Sequence, residues 1–110
     1  IVSRRSGQTG LSLRRAAQTY ELHMSKILMY STAICPYCVA AKNFLVGRGL
    51  GYEEVRVDRD RSAFDTMLSR SGGRRSVPQI FINDRHVGGY DELMQLHRNG
   101  ELESWLTTTP

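Results

Sequence analysis

Ile27-Leu28-Met29-Tyr30-Ser31-Thr32-Ala33-Ile34-Cys35-Pro36-Tyr37-Cys38 is the stretch from which the chain is read. Ile27 to Ser31 is mostly apolar and too short for a helix, which predicts a buried strand. Pro36 then suits the first turn of a helix, where its missing N–H costs nothing. Val39, Ala40, Phe44 and Leu45 give that helix an apolar face, and Gly47 and Gly49 end it. The motif therefore falls at a strand-to-helix junction, where two thiols three residues apart can close a disulfide within one turn. With Cys35 at the N-cap, its sulfur faces unpaired backbone N–H groups and the positive end of the helix dipole. Both favour thiolate, drawing a pKa near 8.5 down to roughly 3.5 to 7.5 in such motifs. Cys38, one turn in, is less exposed and suits a resolving thiol.

The later elements follow from the same kind of pattern. Tyr52 to Val57 alternates enough for a second strand. Ser62 with Asp65 fits a capping box before Ala63, Phe64, Met67 and Leu68, and Ser71, Gly72 and Gly73 close that helix. Gln79 to Ile82 reads as a third strand, Asn83-Asp84 as a tight turn and His86-Val87 as a fourth. After Gly88-Gly89, Asp91 and Glu92 place acid in the first turn of a helix carrying Leu93, Met94 and Leu96. Asn99-Gly100 stops it, and Leu102, Trp105 and Leu106 outline a last short helix. The order βαβα then ββαα predicts a parallel pair joined by a crossover helix, with an antiparallel hairpin on the same sheet. The expected class is α/β, in three layers.

The chain has 110 residues, enough for one domain, and only two cysteines, which excludes a multi-bridge secreted framework. A reducing compartment, the cytoplasm by default, is expected. No apolar run approaches the roughly 20 residues of a membrane span. The net charge of +4 divides unevenly: residues 1–23, with Arg4, Arg5, Arg14, Arg15 and Glu21, carry +3, and the rest only +1. A near-neutral body does not form the basic stripe that nucleic acid requires. Residues 1–23 read as an appended extension, with Leu13, Ala16, Ala17 and Tyr20 on one face of a short amphipathic helix, and residues 24–110 as the domain. An extension upstream of a start at Met24 and an arginine-bearing transit segment both fit.

Spacing alone leaves two uses for the cysteines, a redox pair or half of a zinc site. Zinc needs further ligands, and His23, His86 and His97 lie in a tail, a hairpin and a helix without H-x3-5-H spacing. Each reads as an ordinary surface residue, and no metal site is expected.

Taken together, Cys35-Pro36-Tyr37-Cys38, Ser76-Val77-Pro78-Gln79-Ile80-Phe81-Ile82 and Gly88-Gly89-Tyr90-Asp91-Glu92-Leu93 resemble a dithiol glutaredoxin of the small bacterial type, over roughly residues 25 to 106. The resemblance implies a thioredoxin-like fold, with a four-stranded mixed sheet flanked by helices, and glutathione-dependent reduction of disulfides and of glutathione-protein mixed disulfides. Cys35 and Cys38 become the catalytic pair. Tyr37, Arg75, Ser76, Val77, Pro78, Gly88, Gly89, Tyr90 and Asp91 become the glutathione-binding set. Val77, before a proline whose peptide bond is cis in the family, would pair strand-like with the cysteinyl part of glutathione. Gly88-Gly89 permits close approach, the following helix start offers N–H groups to the γ-glutamyl carboxylate, and Asp91 accepts its ammonium. Many members carry lysine three residues before the first cysteine, toward the glycyl carboxylate; here that position is Thr32. Arg75, or else Arg74, is expected to supply the charge. No cofactor is implied, glutathione being a cosubstrate. The expected partners are glutathione and disulfide-bearing or glutathionylated proteins, with the chain a monomer. Two rival readings remain: a redoxin supplied by thioredoxin reductase, and an iron-sulfur cluster module, which Pro36 disfavours.

Overall fold

The computed structural model describes residues 25–107. The extension at 1–23, with its amphipathic stretch and His23, lies outside them. Four strands, β1 (Ile27–Ser31), β2 (Glu53–Arg56), β3 (Gln79–Ile82) and β4 (Arg85–Gly88), form one sheet in the order β2-β1-β3-β4. The β1–β2 pair is parallel; β1–β3 and β3–β4 are antiparallel. The helices are α1 (Pro36–Gly47), α2 (Arg61–Arg70), α3 (Tyr90–Arg98) and α4 (Leu102–Thr107).

Side-chain alternation along β1 and β3 divides the core between the two faces of the sheet. Ile27, Met29, Ile80 and Ile82 pack with Cys38, Ala41 and Leu45 of α1, Leu93 of α3, and Leu102 and Leu106 of α4. Tyr30 and Phe81 point the other way, onto Met67 and Phe64 of α2. The three layers are thus α1, α3 and α4, then the sheet, then α2. Asn83, at φ 51° in the hairpin turn, ties the ends of the domain: its Oδ1 accepts the Lys26 N–H at 2.9 Å and its Nδ2 donates to the Trp105 carbonyl at 3.1 Å.

Two local expectations are corrected. The cap of α2 is Asp60, whose carboxylate accepts the Ser62 N–H at 3.0 Å and the Ser62 hydroxyl at 2.7 Å. Ser62 therefore sits inside the helix, because the extended residue two places earlier already carries a better acceptor. On α1, Val39 is half exposed, and the inward line is Cys38, Ala41 and Leu45. Cys38 packs as a small hydrophobe and turns Val39 outward.

Candidate functional site

Cys35 is the N-cap of α1, with extended backbone at φ −154° and ψ 95°. The Cys38 N–H donates to its sulfur at 3.1 Å, while its carbonyl accepts the Val39 N–H at 3.1 Å. Pro36 fills the first helical position, and no acidic side chain stands in that turn. The helix end is therefore an uncompensated positive pole directed at one sulfur. The two cysteines are joined as a disulfide, their Cα atoms 5.2 Å apart. Cys35 is 9% exposed and Cys38 only 1%, so an incoming sulfur reaches the first and not the second.

Across from the disulfide runs the segment Ser76-Val77-Pro78, with a cis bond between Val77 and Pro78. The Val77 carbonyl oxygen lies 3.7 Å from Cys35 Sγ. Among the described residues, neither the N–H nor the carbonyl of Val77 has a backbone partner. Val77 also lines two hollows, one on either side of it.

The smaller hollow, about 200 Å³, is lined by Tyr37, Arg74, Ser76, Val77, Pro78 and the start of α3 from Gly89 to Glu92. The rings of Tyr37 and Tyr90 stand 6.1 Å apart in a tilted pair, forming one wall. The Gly89 N–H donates to Glu92 Oε1 at 2.6 Å, and Arg74 reaches the same oxygen at 3.4 Å. The Gly89 bond chiefly, aided by Arg74, holds the Glu92 carboxyl below its ordinary pKa. Gly88 does not line this hollow. At φ +120° it leaves room for the Glu92 carboxylate, which a Cβ would meet at 2.6 Å.

The larger hollow, about 460 Å³, lies on the Thr32 side, lined by Thr32, Val57 to Arg61, Phe64, Arg75 and Val77. Its carboxylates are occupied: Asp58 accepts from Arg56 Nε at 2.8 Å and Nη2 at 2.7 Å and from the Ala33 N–H at 3.1 Å, and Asp60 caps α2. The Arg56 bonds above all hold Asp58 far below the usual carboxylate range. Arg75 has no carboxylate partner among the described residues; its guanidinium rests 5.2 Å from the centre of the Phe64 ring. Of the two arginines expected in place of the missing lysine, Arg75 is the one beside Thr32. Arg74 lines the opposite hollow, and Lys42 is bound to Glu54 at 2.7 Å.

His86 and Gln79 belong near the site although the sequence did not mark them. His86 is no ordinary surface residue: it is partly buried, its ring lies 4.9 Å from that of Phe81, and its Nε2 is 2.7 Å from Gln79 Oε1. Burial, reinforced by Arg74 and Arg70, presses its pKa below 6.5. The available signal was Gln79 itself, a polar residue in a strand otherwise reading Ile80-Phe81-Ile82. His97 packs against Phe44 at 4.9 Å. No cluster of side chains able to hold a metal ion occurs among the described residues, nor is any described helix long and apolar enough to cross a membrane.

A mixed sheet with a thiol pair at the N-terminus of its first helix, opposite a cis-proline segment, defines a thiol-disulfide oxidoreductase of the thioredoxin fold. The glutaredoxin family profile matches residues 27–87. A glutaredoxin of Neisseria meningitidis is 45% identical over 84 residues, 76% of this chain and 98% of its own. A probable glutaredoxin of Synechocystis is 41% identical over 86 residues, 78% of this chain and 79% of its own. Among solved structures, the Brucella melitensis glutaredoxin superposes with a TM-score of 0.68 at 37% identity, covering 78% of this chain and 92% of that one. A buckwheat glutaredoxin-glutathione complex gives the same score at 28% identity, over 88% and 92%. The chain belongs to the glutaredoxin family.

Proposed function

We propose that this oxidoreductase draws its electrons from glutathione, reducing protein disulfides and glutathione mixed disulfides as a monomer in a reducing compartment such as the cytoplasm. The observation that carries the reading is Val77: a backbone N–H and carbonyl without a backbone partner among the described residues, beside Cys35 Sγ, with a hollow at each side. A tripeptide bearing its sulfur on the central residue fits such a groove. Its cysteinyl part pairs strand-like with Val77, and each end enters one hollow. The γ-glutamyl carboxylate takes N–H groups at the start of α3 while Asp91 accepts its ammonium. The glycyl carboxylate meets Arg75, whose fork can hold both oxygens. The likeness to a buckwheat glutaredoxin solved with glutathione supports glutathione as the ligand.

With a glutathione mixed disulfide, the Cys35 thiolate attacks the glutathione sulfur and the substrate thiolate leaves, taking a proton from solvent. A second glutathione thiolate then attacks the glutathione sulfur held on Cys35, releasing oxidised glutathione and restoring the thiolate. With a protein disulfide, Cys35 attacks one sulfur, and Cys38 then attacks Cys35 Sγ, expelling the reduced substrate and closing the internal disulfide. Two glutathiones reopen it. No resident cofactor enters either route.

The test is turnover of a small glutathione mixed disulfide with glutathione and glutathione reductase, run beside thioredoxin reductase as the alternative supply. Turnover with glutathione is expected. Turnover with thioredoxin reductase alone would overturn the reading.

A further inference from the structure

Gln79 opens β3 with no exposed surface, among three apolar neighbours. A buried amide must satisfy both its donors and its acceptor. Its Nε2 lies 3.0 Å from the Ser76 carbonyl oxygen and 3.3 Å from Ser76 Oγ, and its Oε1 lies 2.7 Å from His86 Nε2. A carbonyl oxygen only accepts, so the amide atom facing Ser76 is the nitrogen. The atom facing His86 is then an oxygen, which also only accepts, so His86 Nε2 carries the hydrogen. Arg74 and Arg70 stand around the ring and oppose a second proton; Glu92 favours one but is shared with Arg74 and Gly89, and Asp84 is bound to Arg70 at 3.5 Å.

Ser76 immediately precedes Val77, and upstream the backbone is held by the Gly73 N–H on the Leu68 carbonyl at 2.8 Å and by Ser71 Oγ, which accepts the Arg74 N–H at 3.1 Å and donates to the Arg74 carbonyl at 3.2 Å, with the Arg74 and Arg75 side chains resting on Glu92 and Phe64. The Gln79 amide is the next anchor before the cis bond. We infer that His86 and Gln79 act as positioning residues: the Nε2–H of His86 fixes the Gln79 amide, which fixes the Ser76 carbonyl and so aims the Val77 N–H and carbonyl at the cysteinyl part of glutathione. The inference rests on the glutathione reading. Neither side chain touches the substrate; the pair acts through the backbone.

The ring nitrogens of the ¹⁵N-labelled full-length chain test the pair directly. At neutral pH, Nε2 is expected protonated and Nδ1 bare. His86→Phe keeps a ring against Phe81 but strips the donor, whereas His86→Gln returns an N–H. Loss of one such bond corresponds to about three- to tenfold in binding. His86→Phe is therefore expected to raise the KM for glutathione by that factor, leaving the pH profile of Cys35 alkylation by iodoacetamide unchanged. His86→Gln is expected to stay within about twofold of the parent, since the donor is restored. A merely structural role would not separate the two variants by KM. A ring protonated at Nδ1 with bare Nε2, or equal KM values in the two variants, would overturn the inference. A parent chain that ignores glutathione would instead defeat the glutathione reading, and the ring-nitrogen pattern would still decide the pairing of His86 with Gln79.

Discussion

The two hollows beside Val77 are built differently. The one at the start of α3 is braced mainly by local structure, Gly88 at positive φ and the Gly89 N–H on Glu92, with Arg74 reaching the same carboxylate from before the cis bond. Apart from Arg74, its donors are backbone groups, fixed before any ligand arrives. The hollow on the Thr32 side has more than twice the volume and is lined by long side chains, with Asp58 and Asp60 already engaged and Arg75 lying on Phe64. Recognition there depends on charge that a ligand must recruit. The first hollow should thus be sensitive to backbone changes, the second to the loss of one side chain.

The two hollows share Val77, whose carbonyl oxygen lies 3.7 Å from the reactive centre at Cys35 Sγ, and changes at that centre are expected to be the largest. Cys35→Ser abolishes exchange on every substrate, because only that sulfur combines access with the helix-end field. Cys38→Ser retains removal of glutathione from small mixed disulfides and loses reduction of protein disulfides. Equal loss in both variants on a small glutathionylated substrate would remove the centre from the comparison.

Gly88→Ala attacks the braced hollow. A side chain at φ +120° would strain the backbone and drive the Glu92 carboxylate off the Gly89 N–H, costing about 1 to 3 kcal/mol of stability. The thermal midpoint should fall with a rise in the KM for glutathione. An unchanged midpoint would mean that the brace is not structural.

Arg75→Ala attacks the other hollow without touching the fold. The range for a hydrogen bond to a charged group is about 1.5 to 3 kcal/mol, and solvent around this exposed site places the effect at its lower end, about tenfold in kcat/KM for glutathione. Reactivity of Cys35 with a neutral disulfide should stay as it was, and Thr32→Lys should restore part of the loss. If the dependence on glutathione concentration is unaltered, Arg75 is not the glycyl partner.

The smallest effect separates the regions by pH. The Glu92 and Glu54 carboxyls are held below their ordinary 4.5, Glu92 by the Gly89 N–H first and Glu54 by Lys42 first. Their contribution is complete above 4.5 and is lost as pH falls through the depressed folded values. The His86 pKa is likewise lowered from 6.5, chiefly by burial. There the unfolded chain takes up a proton first, so stability begins to decline as pH drops below 6.5. Thermal midpoints should therefore fall in two stages on acidification, and His86→Gln should erase the upper one. An upper stage that persists in the variant would assign it to another group.

Elements with strong local punctuation were legible in the sequence. β3 spans the expected residues, Asn83 and Asp84 make the hairpin turn at positive φ, and Gly49, Gly72 and Gly100 take left-handed conformations beside the ends of α1, α2 and α3. Where two residues could serve one purpose, pattern was insufficient. Asp60 outcompeted Ser62 as cap, and the burial of Cys38 turned Val39 outward. The cysteine pair was visible because its chemistry is local, whereas the Gln79–His86 contact joins paired strands and depends on their register. β3 is covered on both faces, so a polar residue in it required a partner, but the sequence did not say which. The same holds for Arg74 and Arg75, adjacent in the chain yet lining opposite hollows of the groove.

The arrangement of glutathione across Val77 is tested most directly by amide ¹H–¹⁵N spectra of the Cys38→Ser chain, free and as its glutathione mixed disulfide. The Val77 amide is expected to shift strongly downfield and become protected from exchange as it acquires a carbonyl partner, with Tyr90 and Asp91 shifting at one end and the Arg75 side chain at the other. A mixed disulfide that leaves the Val77 amide and the start of α3 unchanged would contradict the account.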